Sequence, residues 1–110
     1  MSVVVSTVQP MVIQPPDVLD VSTAPLFQAD LMAAIAASSA DIWIDMAEVT
    51  SLDSAGLMAL VTGLTRAQSL NREFYLCNVS SSVRIVFELT QLDRIFVFNN
   101  EELPAKPLAA

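Results

Sequence analysis

Apolar residues along this chain come in two kinds of pattern, short continuous runs and helically spaced stripes, and the two kinds alternate. Val3-Val4-Val5 and Met11-Val12-Ile13 are β-type runs, separated by Pro10 and closed by Pro15-Pro16. Val18-Leu19-Asp20-Val21 reads as a turn leading into Ser22-Thr23-Ala24-Pro25, where Ser22 or Thr23 suits an N-cap and Pro25 a first helical turn. Phe27, Leu31, Ala34 and Ile35 then recur with the spacing of one buried helix face, which ends at Ser38-Ser39-Ala40. Ile42-Trp43-Ile44 has the continuous apolar character of a central strand covered on both faces. A loop from Asp45 to Asp53 follows, then a helix from about Ser54 to Ser69. Asn71-Arg72 turns into a strand over Glu73 to Cys77. The spacing predicts a third helix over Ser81 to Leu89, with Ser80 or Ser81 as cap and Val83, Val86 and Phe87 inward. Ile95 to Phe98 is a last strand.

From Asp41 onward the order is strand, helix, strand, helix, strand, which implies parallel pairing with right-handed crossovers. The expected fold is a small α/β layer protein: a mixed β-sheet with helices packed on it, in the order β-β-α-β-α-β-α-β. Residues 1–103 form one domain and the Pro/Ala-rich residues 104–110 a flexible tail. A chain of 110 residues suffices for one core.

Composition removes several functions. Charged residues are 15% of the chain and hydrophobic residues 54%, so disorder is excluded. The uncharged segment from Leu31 to Ala40 is too short to span a bilayer, and Met1–Pro16 is broken by three prolines and lacks a basic start. A cytoplasmic protein without membrane insertion is expected. The net charge is −7 and the five basic residues are scattered singly, which argues against nucleic-acid binding and suits either a basic protein partner or a charge that only keeps the chain soluble. Cys77 lies in an apolar run and reads as a buried core residue.

Candidate chemistry gathers at Asp53-Ser54-Ala55-Gly56, where a strand-and-loop segment meets a helix. In open α/β sheets, sites lie beyond the carboxyl ends of strands. Ser54 there is open to three readings: helix cap, nucleophile or phosphate acceptor. A nucleophilic serine needs a base. The chain has no histidine, its one lysine is Lys106, and Asp53 is only a sequence neighbour, so hydrolase chemistry is excluded. Gly56 and Gly63 are its only glycines, too few for a phosphate-cradling loop. Asp45, Glu48 and Asp53 are better read as a solvated acidic loop than as a cation site. As a cap, Ser54 or Asp53 would contribute about 1 kcal/mol. On the helix, Ser54, Met58, Thr62 and Thr65 form a stripe beside the inward Leu57, Leu60, Val61 and Leu64, and Met58 suits either a docking surface or the edge of the core. Gly56, Ala59 and Gly63 form a third side that lets a neighbouring helix approach.

The stretch Ile42-Trp43-Ile44-Asp45-Met46, followed by Val49-Thr50-Ser51-Leu52-Asp53-Ser54-Ala55-Gly56-Leu57, resembles the signature of the STAS domain, and more narrowly of bacterial anti-sigma factor antagonists. Val18-Leu19-Asp20 before a helix is similar to the family's Leu-Asp turn, and Val83 to Asp93 to its third-helix segment. The resemblance implies that a cognate anti-sigma factor, itself a serine kinase, binds the chain and phosphorylates Ser54. It also implies that phosphorylation releases the kinase, and that a PP2C-type phosphatase restores the free serine. The chain is then no enzyme and holds no cofactor, since the kinase brings ATP and Mg²⁺. Asp20 matches a loop acid that helps dock the kinase, and Asp53, Ala55, Met58 and Thr62 complete the expected partner surface. The chain departs from the family at Asp17 and Met58, where Gly is common, and at Ala55, where a second Ser often stands. An alternative from the same resemblance is a non-switching STAS subunit of a larger assembly, in a lipid-transport complex or a stress-signalling scaffold, with Ser54 only a cap. A small-ligand or nucleotide module is a third.

Overall fold

The computed structural model describes residues 10–99. Val3-Val4-Val5 and the 104–110 tail lie outside the described residues.

Four strands make the main sheet: β1 (Met11–Ile13), β3 (Ile42–Asp45), β5 (Phe74–Cys77) and β6 (Val97–Phe98), in the spatial order β1-β3-β5-β6 with every pair parallel. Each strand is laid down beside its predecessor in one direction. Right-handed crossovers therefore place the three connecting helices, α1 (Ala24–Ala37), α2 (Ser54–Ser69) and α3 (Ser81–Leu89), on the same face. Ile42 and Ile44 of β3 and Phe74 and Leu76 of β5 point into that helical layer and are at most 3% exposed. Their alternates Trp43 and Tyr75 stand in register on the other face, with ring centroids 4.7 Å apart.

Two elements depart from the sequence expectation. Val18–Leu19, read as a turn, is a strand (β2), and it pairs in parallel with Ser51–Leu52 (β4), which lies inside the segment read as a loop. Two-residue strands leave almost no periodicity to detect. They exist because the chain on either side brings them together, and they close with Leu19 and Leu52 buried. The last strand is also shorter than expected. A 3₁₀ turn at Leu92–Arg94 precedes it, and only Val97–Phe98 pairs. Phe96 still enters the core, edge-on to Phe87 at 5.4 Å.

The helices follow their stripes. Phe27, Leu31 and Ile35 of α1 are buried as expected, and Ala34 is half-buried. The small-residue side of α2 admits α1. A Cβ on Gly63 would overlap the end of the Leu31 side chain and come within 3.3 Å of Phe74. Asn71, with φ of 57°, ends the α2 turn in the left-handed conformation that Asn tolerates. Arg72 then reaches back, its Nε donating to the Ala40 carbonyl (2.8 Å) and its Nη1 to the Ile35 carbonyl (2.6 Å), and so satisfies one acceptor in the last turn of α1 and one in the segment that follows it. No helix among the described residues is long and apolar enough to cross a membrane.

Candidate functional site

The site is built from a repeated local design. Leu19 and Leu52 are register partners in the β2–β4 pair, so Asp20 and Asp53 follow side by side, and each stands before a helix. Asp53 is the N-cap of α2, its Oδ1 accepting from the amides of Ala55 (2.9 Å) and Gly56 (3.1 Å). Asp20 organises the start of α1. Its Oδ1 accepts from the Ser22 hydroxyl (2.7 Å), the Ser22 amide (2.9 Å) and the Thr23 amide (3.2 Å). These bonds, the Ser22 hydroxyl first, hold the Asp20 carboxyl below its usual range. Thr23 is the formal N-cap, but its side chain makes no capping bond and donates instead to the Val18 carbonyl at 2.7 Å. Ser22 and Thr23, expected as caps, thus support the acid that does the capping.

Ser54 is the first residue of α2 and is exposed. The capping role expected of Ser54 or Asp53 falls to Asp53 alone. The Ser54 hydroxyl makes no hydrogen bond among the described residues. It stands at the positive end of the α2 dipole, where added negative charge is tolerated by the fold. Gly56 fixes how closely this corner sits. A Cβ there would overlap the Leu19 carbonyl oxygen and lie 2.8 Å from the Leu52 side chain. The Asp53 amide donates to that same Leu19 oxygen at 3.2 Å.

Beyond Ser54 runs the seam between α1 and α2. Met58, 56% exposed, divides it into two open grooves. The near groove, of about 400 Å³, is lined by Val21, Ala24, Pro25, Gln28, Ala55 and Met58. The far groove, of about 470 Å³, includes Met32, Met58, Val61, Thr62, Thr65 and Arg66. The structure therefore gathers Ser54, Asp53, Asp20, Ala55 and Met58 around one corner, and puts Thr62 farther along the seam. Sequence reasoning missed Val21, 72% exposed, and Met32. Their signal was available: Met32 is apolar yet falls off the Phe27–Leu31–Ile35 stripe, and Val21 is an apolar residue in the turn before α1.

The acidic loop is not what its composition suggests. Glu48 and Asp53 are exposed, but Asp45 is only 5% exposed and is drawn into the carboxyl end of the sheet. Its carboxylate accepts from Gln14 Nε2 and Asn78 Nδ2, both at 2.9 Å, and from the Ala47 amide at 3.1 Å. A buried carboxylate needs such donors, so Asp45 ties together the chain leaving β1, β3 and β5 rather than facing solvent. Among the described residues no three carboxylate or thiol side chains gather into a metal site. Cys77 beside it is fully buried as expected, and burial pushes its thiol up to about 11.

Comparison with known proteins places this geometry. A family model described as the STAS domain matches residues 2–103. A Thermotoga maritima protein assigned as an anti-sigma factor antagonist superposes with a TM-score of 0.76 at 26% identity, covering 84% of this chain and 80% of that one. The anti-sigma factor antagonist SpoIIAA in its unphosphorylated form matches with a TM-score of 0.71 at 21% identity, covering 88% of this chain and 85% of that chain. The Bacillus cell fate determinant SpoIIAA in its phosphorylated form matches with a TM-score of 0.65 at 21% identity, over 88% of each chain.

Proposed function

The chain belongs to the STAS domain family, and from that premise we propose that it is an anti-sigma factor antagonist that acts as a phosphorylation-controlled partner switch. In its unphosphorylated form it binds an anti-sigma factor that is also a serine kinase. The kinase phosphorylates Ser54 and is released, and a PP2C-type phosphatase resets the protein. The chain contributes no catalytic group of its own: ATP, Mg²⁺ and the base come with the kinase.

One observation carries this reading. The Ser54 hydroxyl is exposed at the start of α2 while Asp53 does the capping, so the hydroxyl is available for modification without loss of a helix-stabilising bond. The surroundings support it. Asp20 and Asp53 present carboxylates on either side of the corner, suited to a basic partner surface, and the near groove offers apolar contact through Val21, Ala55 and Met58. Phosphorylation adds about −1.5 to −2 charge. The helix dipole accepts that charge in the free protein. A docked partner meets the added bulk and the cost of desolvating the phosphate. A loss of about 3–4 kcal/mol weakens binding by two to three orders of magnitude.

The test is to incubate the chain with its cognate kinase and ATP–Mg²⁺ and to map phosphate by mass spectrometry. Phosphate on Ser54, with tight kinase binding by Ser54→Ala and weak binding by Ser54→Asp, is expected. Equal affinities would point instead to a permanent STAS subunit.

A further inference from the structure

α3 carries an apolar surface that the fold leaves unused. Val83 and Phe87 turn inward and are 2% and 0% exposed, whereas Ile85 and Leu89 stand on the opposite side, 50% and 80% exposed. They are one helical turn apart on a single face. Neither belongs to the core, and neither lines the α1–α2 grooves.

Charge singles out the same segment. Residues 10–80 carry eight carboxylates against two arginines, net −6, whereas residues 81–99 carry Arg84 and Arg94 against Glu88 and Asp93, net zero. Two copies meeting through the acidic part repel each other. Residues 81–99 add nothing to that repulsion. The balance also has a direction. Arg84 and Glu88 flank the stripe one turn apart, Nε to Oε2 3.5 Å, with the Arg84 guanidinium 4.2 Å above the centre of the Phe98 ring. A cation at one end and an anion at the other is self-complementary under a two-fold axis. With two α3 helices antiparallel, Arg84 faces the partner's Glu88 and the two apolar pairs meet between them.

We propose that the outward stripe of α3, Ile85 and Leu89 flanked by Arg84 and Glu88, is a self-association face that pairs two copies of this chain antiparallel. Nine helical residues span about 13 Å, too short a stretch to bury the ~800 Å² per partner of a stable interface. The dimer is therefore weak, with a Kd on the order of 10–100 µM.

Sedimentation velocity on the 110-residue chain, from about 5 µM to about 1 mM, tests it. A dimer fraction that grows with concentration is expected. Ile85→Lys and Leu89→Lys should each raise Kd at least ~10-fold, with circular dichroism unchanged because both side chains are exposed. Val21→Lys, an exposed apolar site on the other surface, should leave Kd as it was. Arg84→Glu should weaken the dimer, and adding Glu88→Arg should restore it. A chain monomeric throughout the range overturns the proposal, as does a Leu89→Lys variant that dimerises like the parent. A dimer dissolved by Val21→Lys instead would place the interface on the α1–α2 side and also overturn it. So would a monomeric parent whose melting temperature falls on Leu89→Lys, since the stripe would then serve contacts within one chain.

Discussion

Asp20 and Asp53 sit at matching positions of one small parallel sheet: each follows a register-paired leucine, Leu19 or Leu52, and each uses its Oδ1 to gather the free amides at the start of the next helix. Two helix N-termini thereby open onto one corner, and Ser54 stands at that corner. The two acids combine a structural duty with a place on the proposed partner surface, so their variants need both readouts.

For Asp53 the structural part is an N-cap. Asp53→Ala should cost about 1 kcal/mol of stability, read as a lower urea midpoint at unchanged m-value. Asp53→Ser, which keeps an acceptor, should recover most of it.

Ser54 carries no such duty. Ser54→Ala should leave stability within about 0.5 kcal/mol of the parent, and Ser54→Asp should not lower it, because the new charge faces the helix N-terminus. Thermal melts of both proteins check this independently of any partner. A clear loss in Ser54→Ala would mean that the hydroxyl holds the corner together.

Met58 divides the two grooves from an exposed position. Met58→Arg should change stability by no more than about 1 kcal/mol while reducing binding to the proposed kinase partner, measured by titration calorimetry. A larger stability loss would assign Met58 to the core.

The two glycines of α2 should respond unequally to Gly→Ala. At Gly56 the added methyl meets the backbone oxygen of Leu19, which cannot move without parting β2 from β4, whereas at Gly63 it meets the flexible end of Leu31. Gly56→Ala should therefore cost about 2–3 kcal/mol and Gly63→Ala clearly less. Paired denaturation curves decide it, and the reverse order would refute the close approach at Leu19.

Cys77 gives a pH signature. Its thiol is raised from 9.0 to about 11, first by burial and then by the nearby Asp45 charge. The folded state thus holds the proton more tightly than the unfolded chain. The resulting contribution to stability is complete below pH 9.0 and is lost as pH rises toward about 11. Cys77→Ala should flatten that alkaline fall. In native protein near neutral pH the thiol should react with disulfide reagents only through opening of the fold.

The longer elements could be read from residue patterns because each has enough turns or alternations to display a period. α2 and α3 begin and end where their stripes and polar borders place them, and β3 and β5 are the continuous apolar runs. What could not be read has a common cause. β2 and β4 are two residues each, and their pairing joins Val18–Leu19 to Ser51–Leu52 across more than thirty positions. No local pattern encodes that. Asp45 was misplaced for the same reason: its donors Gln14 and Asn78 are supplied by distant strands, so a local count of acids suggests solvent where the fold supplies amides. At the site, the composition of the corner was legible at Asp53-Ser54 and the division of labour was not. The cap belongs to Asp53 because its carboxylate reaches two amides while Ser54 is already helical.

The bond from the Asp53 amide to the Leu19 carbonyl has a consequence for timing during synthesis. The Ser54 corner is assembled from segments made far apart, and the strands flanking it complete the core only after Phe74–Cys77 has emerged. A nascent or damaged chain therefore carries Ser54 in its sequence without displaying it at the head of a capped helix. A partner that recognises the corner by shape would count only finished molecules, and the signal would measure folded protein rather than protein made.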